Sequence, residues 1–286
     1  MAQTVHWCSD NAQGFTKRTA FPYRKESNVG TPDTPNVQSL VRGLAVIRTF
    51  NADRPRQTLA QVADATGLAR ATARRFLHTL VTIGYAGTDG TDFWLTPRVL
   101  ELGYSYMSGL GLPAIAQPRL EELSRHIGES SSLSVLDGED VVYVNRVPVR
   151  RIMTVSITIG TRFPAYATSM GRVILAGLPP EELEAYLGSV EFQAFTPSTL
   201  VDAPSLRAEL DRIREQGFAI VDQELEPGLR SLAAPVHSPA GTVVAAVNVS
   251  TQTVVHDLEE LHDRFLPALI DTAELISADL AATELF

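Results

Sequence analysis

The chain has 286 residues, enough for about two domains with ample core, and its composition, 44% hydrophobic and 20% charged, is that of a globular protein. A net charge of −9 argues against a protein that clings to nucleic acid along its whole length, but the charge is uneven: residues 37–97 hold seven Arg against four Asp, and the acidic excess lies in residues 98–286. Cys8 is the only cysteine, no segment approaches the ~20 apolar residues of a membrane span, and the first residues carry no apolar run of signal-peptide length, so no disulfide is expected within the chain, no membrane contact, and a cytoplasmic location.

Residues 1–36 mix Pro, Gly, Asn, Ser and Thr with scattered charges and show no period, so a disordered arm is expected. His6 and Cys8 are too few ligands for a metal centre, and no cofactor is expected in the chain. Val37 to Phe50 reads as a helix with Val37, Leu40, Leu44 and Ile47 on the face that supports the helices after it.

Those helices lie in Thr58–Gly84. Thr58 is an N-cap with Gln61 completing a capping box, Leu59, Val62 and Ala63 share one side, and Gly67 ends the first helix. In the second, Ala73, Phe76, Leu77, Leu80 and Ile83 fall on one face and Ala71, Arg74, Arg75, His78 and Thr82 on the other. An apolar side that fixes the helix and a cationic, hydroxyl-bearing side that reaches phosphates and base edges make a recognition helix. A solvated basic face is the other reading of such a helix. The context favours DNA, because Tyr85-Ala86-Gly87 and Phe93-Trp94-Leu95 flank an Asp89-Gly90 turn as a β-hairpin. Residues 37–97 therefore read as a winged helix-turn-helix, with Thr58, Arg70, Ala71, Thr72, Arg74, Arg75 and His78 as the DNA-binding candidates. Pro97 opens a linker helix within residues 98–111, whose face of Leu100, Tyr104 and Met107 is expected to meet a second subunit, with packing inside the chain as the alternative.

From Leu112 to the end the pattern is α+β. A helix at Pro118–Ile127 precedes LSVLDGEDVVYVNRV, a hairpin around Asp137-Gly138. Ile152–Ile159 alternates as a strand, Phe163-Pro164-Ala165-Tyr166 is a loop, and ATSMGRVILAG a helix. Helices at Pro180–Gly188 and Pro204–Gln216, strands at Gly217–Asp222, Ser231–Val236 and TVVAAVNVS, and a last helix over His256–Ala281 complete it. Hairpin-grouped strands with helices at both ends predict a mostly antiparallel sheet with flanking helices, an effector-binding domain over residues 112–286.

The stretches ATSMGRVILAGLP, GFAIVDQELEPGLRSLAAPV and AGTVVAAVNVS, with the winged helix before them, resemble the isocitrate-lyase-regulator (IclR) family of bacterial transcription factors over residues 37–282. VNRVPVRRIMTVSITIGTRFPAYATSMGRVILAG is similar to the branch that controls aromatic-acid breakdown through protocatechuate and β-ketoadipate. The resemblance implies a GAF-like effector domain, a homodimer or dimer of dimers, double-stranded operator DNA as partner, and a small carboxylate effector. It places the pocket on Ser169, Met170, Gly171, Asp222, Leu229, Ser231, Asn248 and Ser250. Met170 and Asn248 depart from plainer members of the family.

The chemistry of these residues fits that role. Backbone N–H groups at the start of the Ser169 helix form an anion site, Ser231, Asn248 and Ser250 offer neutral donors and acceptors, and Ile152, Val155 and Phe163 wall the rest. Local backbone satisfaction by Ser and Asn, and close packing at Gly171, are the alternatives. Of Arg146, Arg150, Arg151 and Arg162, the last is preferred as the partner of an effector carboxylate because it is next to the Phe163–Met170 loop. A regulator of another organic-acid pathway, a winged helix that binds protein, and an enzyme fused to a DNA-binding domain are the competing functions. The enzyme reading lacks a Gly-rich nucleotide loop and a nucleophile beside a base: Ser169 is in no Gly-x-Ser-x-Gly elbow, and His237, His256 and His262 have no metal spacing.

Overall fold

The computed structural model describes residues 36–103, 111–149 and 157–283, which fall into two compact units, Met1–Tyr104 and Ser105–Phe286. In the first, helices α1 (Gln38–Arg48), α2 (Leu59–Thr66) and α3 (Arg70–Thr82) pack with strands β1 (Gln57–Thr58), β2 (Ala86–Thr88) and β3 (Asp92–Leu95). The capping box is formed: Gln61 N–H donates to Thr58 Oγ1 at 3.3 Å and Thr58 N–H to Gln61 Oε1 at 2.8 Å. Gly67 ends α2 at φ +66°, a conformation that suits glycine. Val46, Val62, Leu77, Leu80, Ala86 and Phe93 form the core. The wing gains a strand that its sequence did not announce, because β1, on the chain just before α2, pairs antiparallel with β3.

Of the apolar face expected of α1, only Ile47 packs. Val37, Leu40 and Leu44 are exposed, Leu40 at 63% and Leu44 at 45%, whereas Val46 is buried and Ile47 and Phe50 pack beside it. The buried side is rotated toward Gly43, which lies beside the Phe76 ring. Ile83, expected on the packed face of α3, is also exposed, since it stands at the C-cap. The linker begins as a 3-10 turn, Pro97–Val99, that runs on as helix to residue 103 with Leu100 exposed; Tyr104 and Met107 lie outside the described residues.

The second unit is a six-stranded antiparallel sheet in the order β6-β5-β4-β9-β8-β7, formed by β4 (Ser130–Asp137), β5 (Asp140–Val147), β6 (Arg162–Pro164), β7 (Ala219–Asp222), β8 (Leu229–His237) and β9 (Val243–Gln252). Helix α4 (Leu112–Ile127) and the terminal helix α8 (Leu266–Ala282), entered through a π-type stretch at Leu261–Phe265, cover one face. Helices α5 (Ser169–Ala176), α6 (Pro180–Ser189) and α7 (Ala203–Gln216) cover the other. Alternation assigns the side chains: Leu133, Val247, Val249 and Leu232 join the α4/α8 core, while Tyr143, Ala246 and Ala233 join the α5 core. α4 starts six residues earlier than expected, with Pro118 inside it and Pro113 in its first turn. Residues 162–164, expected to be part of a loop, form the edge strand β6 against β5. The expected strand at Ile152–Ile159 lies largely outside the described residues, and 157–159 carry no strand.

One buried ion pair locks α5 in place. Arg172, 1% exposed, donates from Nη1 to Glu224 Oε1 at 2.7 Å and from Nε to the Tyr166 carbonyl at 2.7 Å, while its Nη2 pairs with Glu224 Oε2. Leu200 N–H also donates to Glu224 Oε2, and Thr199 Oγ1 to the Glu224 carbonyl. Removing one member of a buried pair leaves the other charged, desolvated and unpaired, which costs about 3–5 kcal/mol, whereas replacing both with apolar groups costs far less. Arg172→Met is therefore expected to lose about that much stability in urea denaturation and Arg172→Met/Glu224→Leu less; equal losses in the two would show that the residues are not coupled.

Candidate nucleic-acid interface and effector cavity

The exposed side of α3 is cationic and uncommitted. Arg70, Arg74 and Arg75 are exposed, and among the described residues none of them forms an ion pair. The N-cap is Ala69, which offers no side-chain acceptor, so the first N–H groups, at Arg70 and Ala71, precede the first backbone bonds of the helix, which Thr72 and Ala73 donate to Ala69. That end presents free donors and the positive pole of the helix dipole, a ready contact for phosphate. Thr72 is partly exposed beside it. His78 is exposed but leans edge-on against Phe93 of the wing, with ring centroids 6.0 Å apart. The Thr58 hydroxyl is spent on the capping box, so its part in the interface is to fix α2.

A clamp absent from the sequence reading sets the wing. The Arg56 guanidinium lies 4.0 Å over the Trp94 ring and pairs with Asp89 at 3.3 Å, tying the loop before α2 to the hairpin tip. Gly87 sits under the same indole, where a Cβ would come within 2.6 Å of the ring, so only glycine lets the two strands of the wing close around Trp94.

In the second unit, Thr168 caps α5 by accepting from Gly171 N–H at 3.1 Å, which leaves the N–H groups of Ser169 and Met170 at the open end of the helix. A narrow cavity of about 30 Å³ lies there, against the sheet. Ser169, Met170, Leu229, Ser231, Asn248 and Ser250 line it together, joined by residues that the sequence reading missed: Tyr143, Ile157, Ala167, Thr168, Val221 and Leu225. Tyr143 and Val221 sit at alternating strand positions and carried a faint signal; Leu225 belongs to an irregular turn and carried none.

The structure does not bring the other candidates to the cavity. Asp222 is held by Arg230, with Nε to Oδ1 at 2.8 Å and Nη2 to Oδ2 at 3.1 Å. Phe163 is buried edge-on against Tyr143 as part of the core behind the wall. Gly171 serves packing: a Cβ there would overlap the Ala165 carbonyl oxygen. Arg162, the arginine preferred for an effector carboxylate, is partly exposed at the sheet edge and already bound to Asp137 and to Asp140 at 3.1 Å. Ile152 and Val155 lie outside the described residues.

The sheet face beneath α5 carries small polar groups in rows. Ser130, Ser250 and Ser231 are cross-strand neighbours, as are Ser132 and Asn248. Asn248 Nδ2 donates to Ser250 Oγ at 3.0 Å, but Asn248 Oδ1, Ser169 Oγ and Ser134 Oγ are buried with no hydrogen-bond partner among the described residues. Burial pushes the Tyr143 hydroxyl up to about 12, opposed by the charge of Arg146, so at neutral pH it is a proton donor. Polar atoms buried without partners at the wall of a cavity mark a place for a ligand that supplies them.

A winged helix with a bare cationic recognition face, on one chain with a sheet domain that holds a polar-walled cavity, defines a ligand-responsive DNA-binding regulator. The chain belongs to the IclR family of bacterial transcriptional regulators: residues 39–90 match the IclR helix-turn-helix domain and residues 104–278 the bacterial transcriptional regulator IclR C-terminal domain. It is accordingly a transcriptional regulator and not an enzyme. It is 43% identical to the Pca regulon regulatory protein of Pseudomonas putida, over 86% of this chain and 84% of that one. Among solved structures it is similar to a Rhodococcus protein assigned as a transcriptional regulator, with 58% identity, a TM-score of 0.79, and coverage of 86% of this chain and 99% of that one. An IclR homolog of Microbacterium hydrocarbonoxydans in complex with 4-hydroxybenzoate matches with 26% identity, a TM-score of 0.76, and coverage of 86% and 100%.

Arg74→Ala and Arg75→Ala are each expected to weaken operator binding, by about 1–3 kcal/mol and selectively at one position where the side chain reads a base, and evenly across sequences where it contacts phosphate. Gel-shift titrations on operator and scrambled duplexes distinguish these outcomes, and unchanged binding in both variants would remove α3 from the interface.

Proposed function

We propose that the protein regulates genes for aromatic-acid breakdown in the cytoplasm, reading its operator with residues 37–97 and binding a small carboxylate of the protocatechuate, 4-hydroxybenzoate or β-ketoadipate kind with residues 112–286. The observation that carries this reading is the cavity beneath the open end of α5, where Ser169 Oγ and Asn248 Oδ1 are buried without partners beside Ser231 and Ser250. A ligand oxygen that accepts suits the Ser169 hydroxyl and the Ser169 and Met170 N–H groups, a ligand hydroxyl that donates suits Asn248 Oδ1, and Met170, Leu225 and Leu229 cover the carbon skeleton between. The Pseudomonas Pca regulator and the 4-hydroxybenzoate complex of the Microbacterium homolog support the choice of acid. No helix among the described residues is long and apolar enough to cross a membrane.

Ser231→Ala is expected to weaken effector binding by about 1–3 kcal/mol, roughly ten- to a hundredfold, while effector-free DNA binding stays as it is. Calorimetry of the full chain with the three acids checks this, and equal affinity in wild type and variant would take Ser231 out of the site.

A second observation supports a homodimer or a dimer of dimers. Val37, Leu40, Val41 and Leu44 at α1 and Leu100 beyond the wing are exposed apolar side chains that a partner subunit would cover, and one winged helix covers only a short site. The expected footprint is two half-sites one helical turn or a multiple of it apart. Leu40→Asp/Leu44→Asp is expected to shift sedimentation toward monomer; a wild type that sediments as a monomer would overturn the assignment.

A further inference from the structure

We infer that Arg146 is the residue that pairs with the carboxylate of the effector, an inference that rests on the proposed acid-binding cavity. The fold turns this side chain to the cavity side of the sheet through a β-bulge. Along β4 and β5, Ser134 pairs with Tyr143 and Ser132 with Arg146, so residues three apart on β5 face the same way because the strand carries one extra residue between them. Asn145, between them, faces the other side and donates to the Pro113 carbonyl at 2.8 Å. On the cavity side, Arg146 Nη1 donates to Ser132 Oγ at 3.2 Å, and the cross-strand neighbour of Ser132 on its other flank is Asn248. The guanidinium is therefore bonded to Ser132, whose strand lies one spacing, roughly 5 Å, from the one that holds the unpartnered Asn248 Oδ1.

The charge of Arg146 is unanswered. Among the described residues it has no carboxylate within ion-pair reach, whereas four other arginines of this domain are paired: Arg162 with Asp137 and Asp140, Arg172 with Glu224, Arg230 with Asp222 and Arg119 with Asp279. Ser132 supplies a neutral acceptor only. A partly buried guanidinium whose partner is a single neutral hydroxyl loses hydration that this bond only partly replaces, and burial accordingly lowers its pKa from the ordinary arginine value. A carboxylate delivered by the ligand restores the balance, and the planar fork of arginine can hold both of its oxygens. The pocket then divides its work: Arg146 answers the charge, and the α5 end with Ser231 and Asn248 reads the hydroxyl or keto oxygen elsewhere on the ligand. Acid is thereby chosen over a neutral analogue of the same shape.

Calorimetry of the full-length protein with 4-hydroxybenzoate and with its uncharged isostere 4-hydroxybenzamide tests the assignment in wild type, Arg146→Gln and Arg146→Lys. Wild type is expected to prefer the acid. Arg146→Gln is expected to lose about ten- to a hundredfold in affinity for the acid but not for the amide, so that the preference collapses, and Arg146→Lys to recover part of it. Because no ion pair is broken in the ligand-free state, the melting temperature of Arg146→Gln without ligand is expected to stay at or above that of wild type. An undiminished acid preference in Arg146→Gln would overturn the role of Arg146 and leave the cavity assignment standing. Failure of wild type to bind 4-hydroxybenzoate, protocatechuate or β-ketoadipate would overturn the cavity assignment, and this inference with it.

Discussion

The Arg172–Glu224 pair is the constraint on which the effector domain depends. A short helix of eight residues has little stability of its own, and α5 is held by burial on all sides and by this pair rather than by propensity. Arg172 reaches the turn after β7 through Glu224, and the carbonyls of Gln223 and Glu224 in turn accept from the hydroxyls of Thr196 and Thr199. Gln223 adopts φ +60°, the only positive φ outside glycine among the described residues, so the turn that carries Leu225 to the cavity is strained as well as tied down. The pair, the helix end and the cavity wall form one connected body.

That connection gives ligand binding a mechanical consequence. About 30 Å³ is room for a water or two and not for an aromatic ring, so the binding proposed above requires a wider cavity than this one. The walls that can yield are Met170, with its flexible side chain, and the turn of Leu225; the strands on the other side are fixed by ladder bonds on both flanks. Movement of the turn moves Glu224, and with it the anchor of α5. A ligand that binds only the widened form shifts the population toward it by its difference in affinity for the two forms.

The same chain separates its charges by function. The recognition helix keeps its arginines unpaired in a small basic segment, while the acidic remainder pairs most of its own, as at Arg207–Glu184 and Arg119–Asp279. Free cations on α3 keep attraction to phosphate local, and the surplus of acid elsewhere repels DNA from surfaces that do not read it. In the wing, Arg56 is withdrawn from that pool by Trp94 and Asp89 and shapes the hairpin instead.

Local interactions were legible in the amino-acid order. The Thr58 capping box, the Gly67 stop, the two faces of α3 and the Asp-Gly hairpins depend on residues a few positions apart, and periodicity displays them directly. The three strong motifs of the second domain also located Ser169, Ser231, Asn248 and Ser250, which line one cavity. What tertiary structure alone decided are the choices among equivalent partners. Periodicity marked Val37, Leu40, Leu44 and Ile47 on α1, and packing in the core buried Val46 and kept only Ile47 of that set. Composition set four arginines near the front of the sheet, and pairing across strands sent Arg162 to Asp137 and Asp140 while a bulge turned Arg146 to the side of the sheet on which the cavity lies. Asp222 met Arg230 for the same reason. Register, bulges and the competition of charges for counter-charges are properties of residues far apart in the chain, so no local pattern encodes them, and they decide which side chains face the ligand.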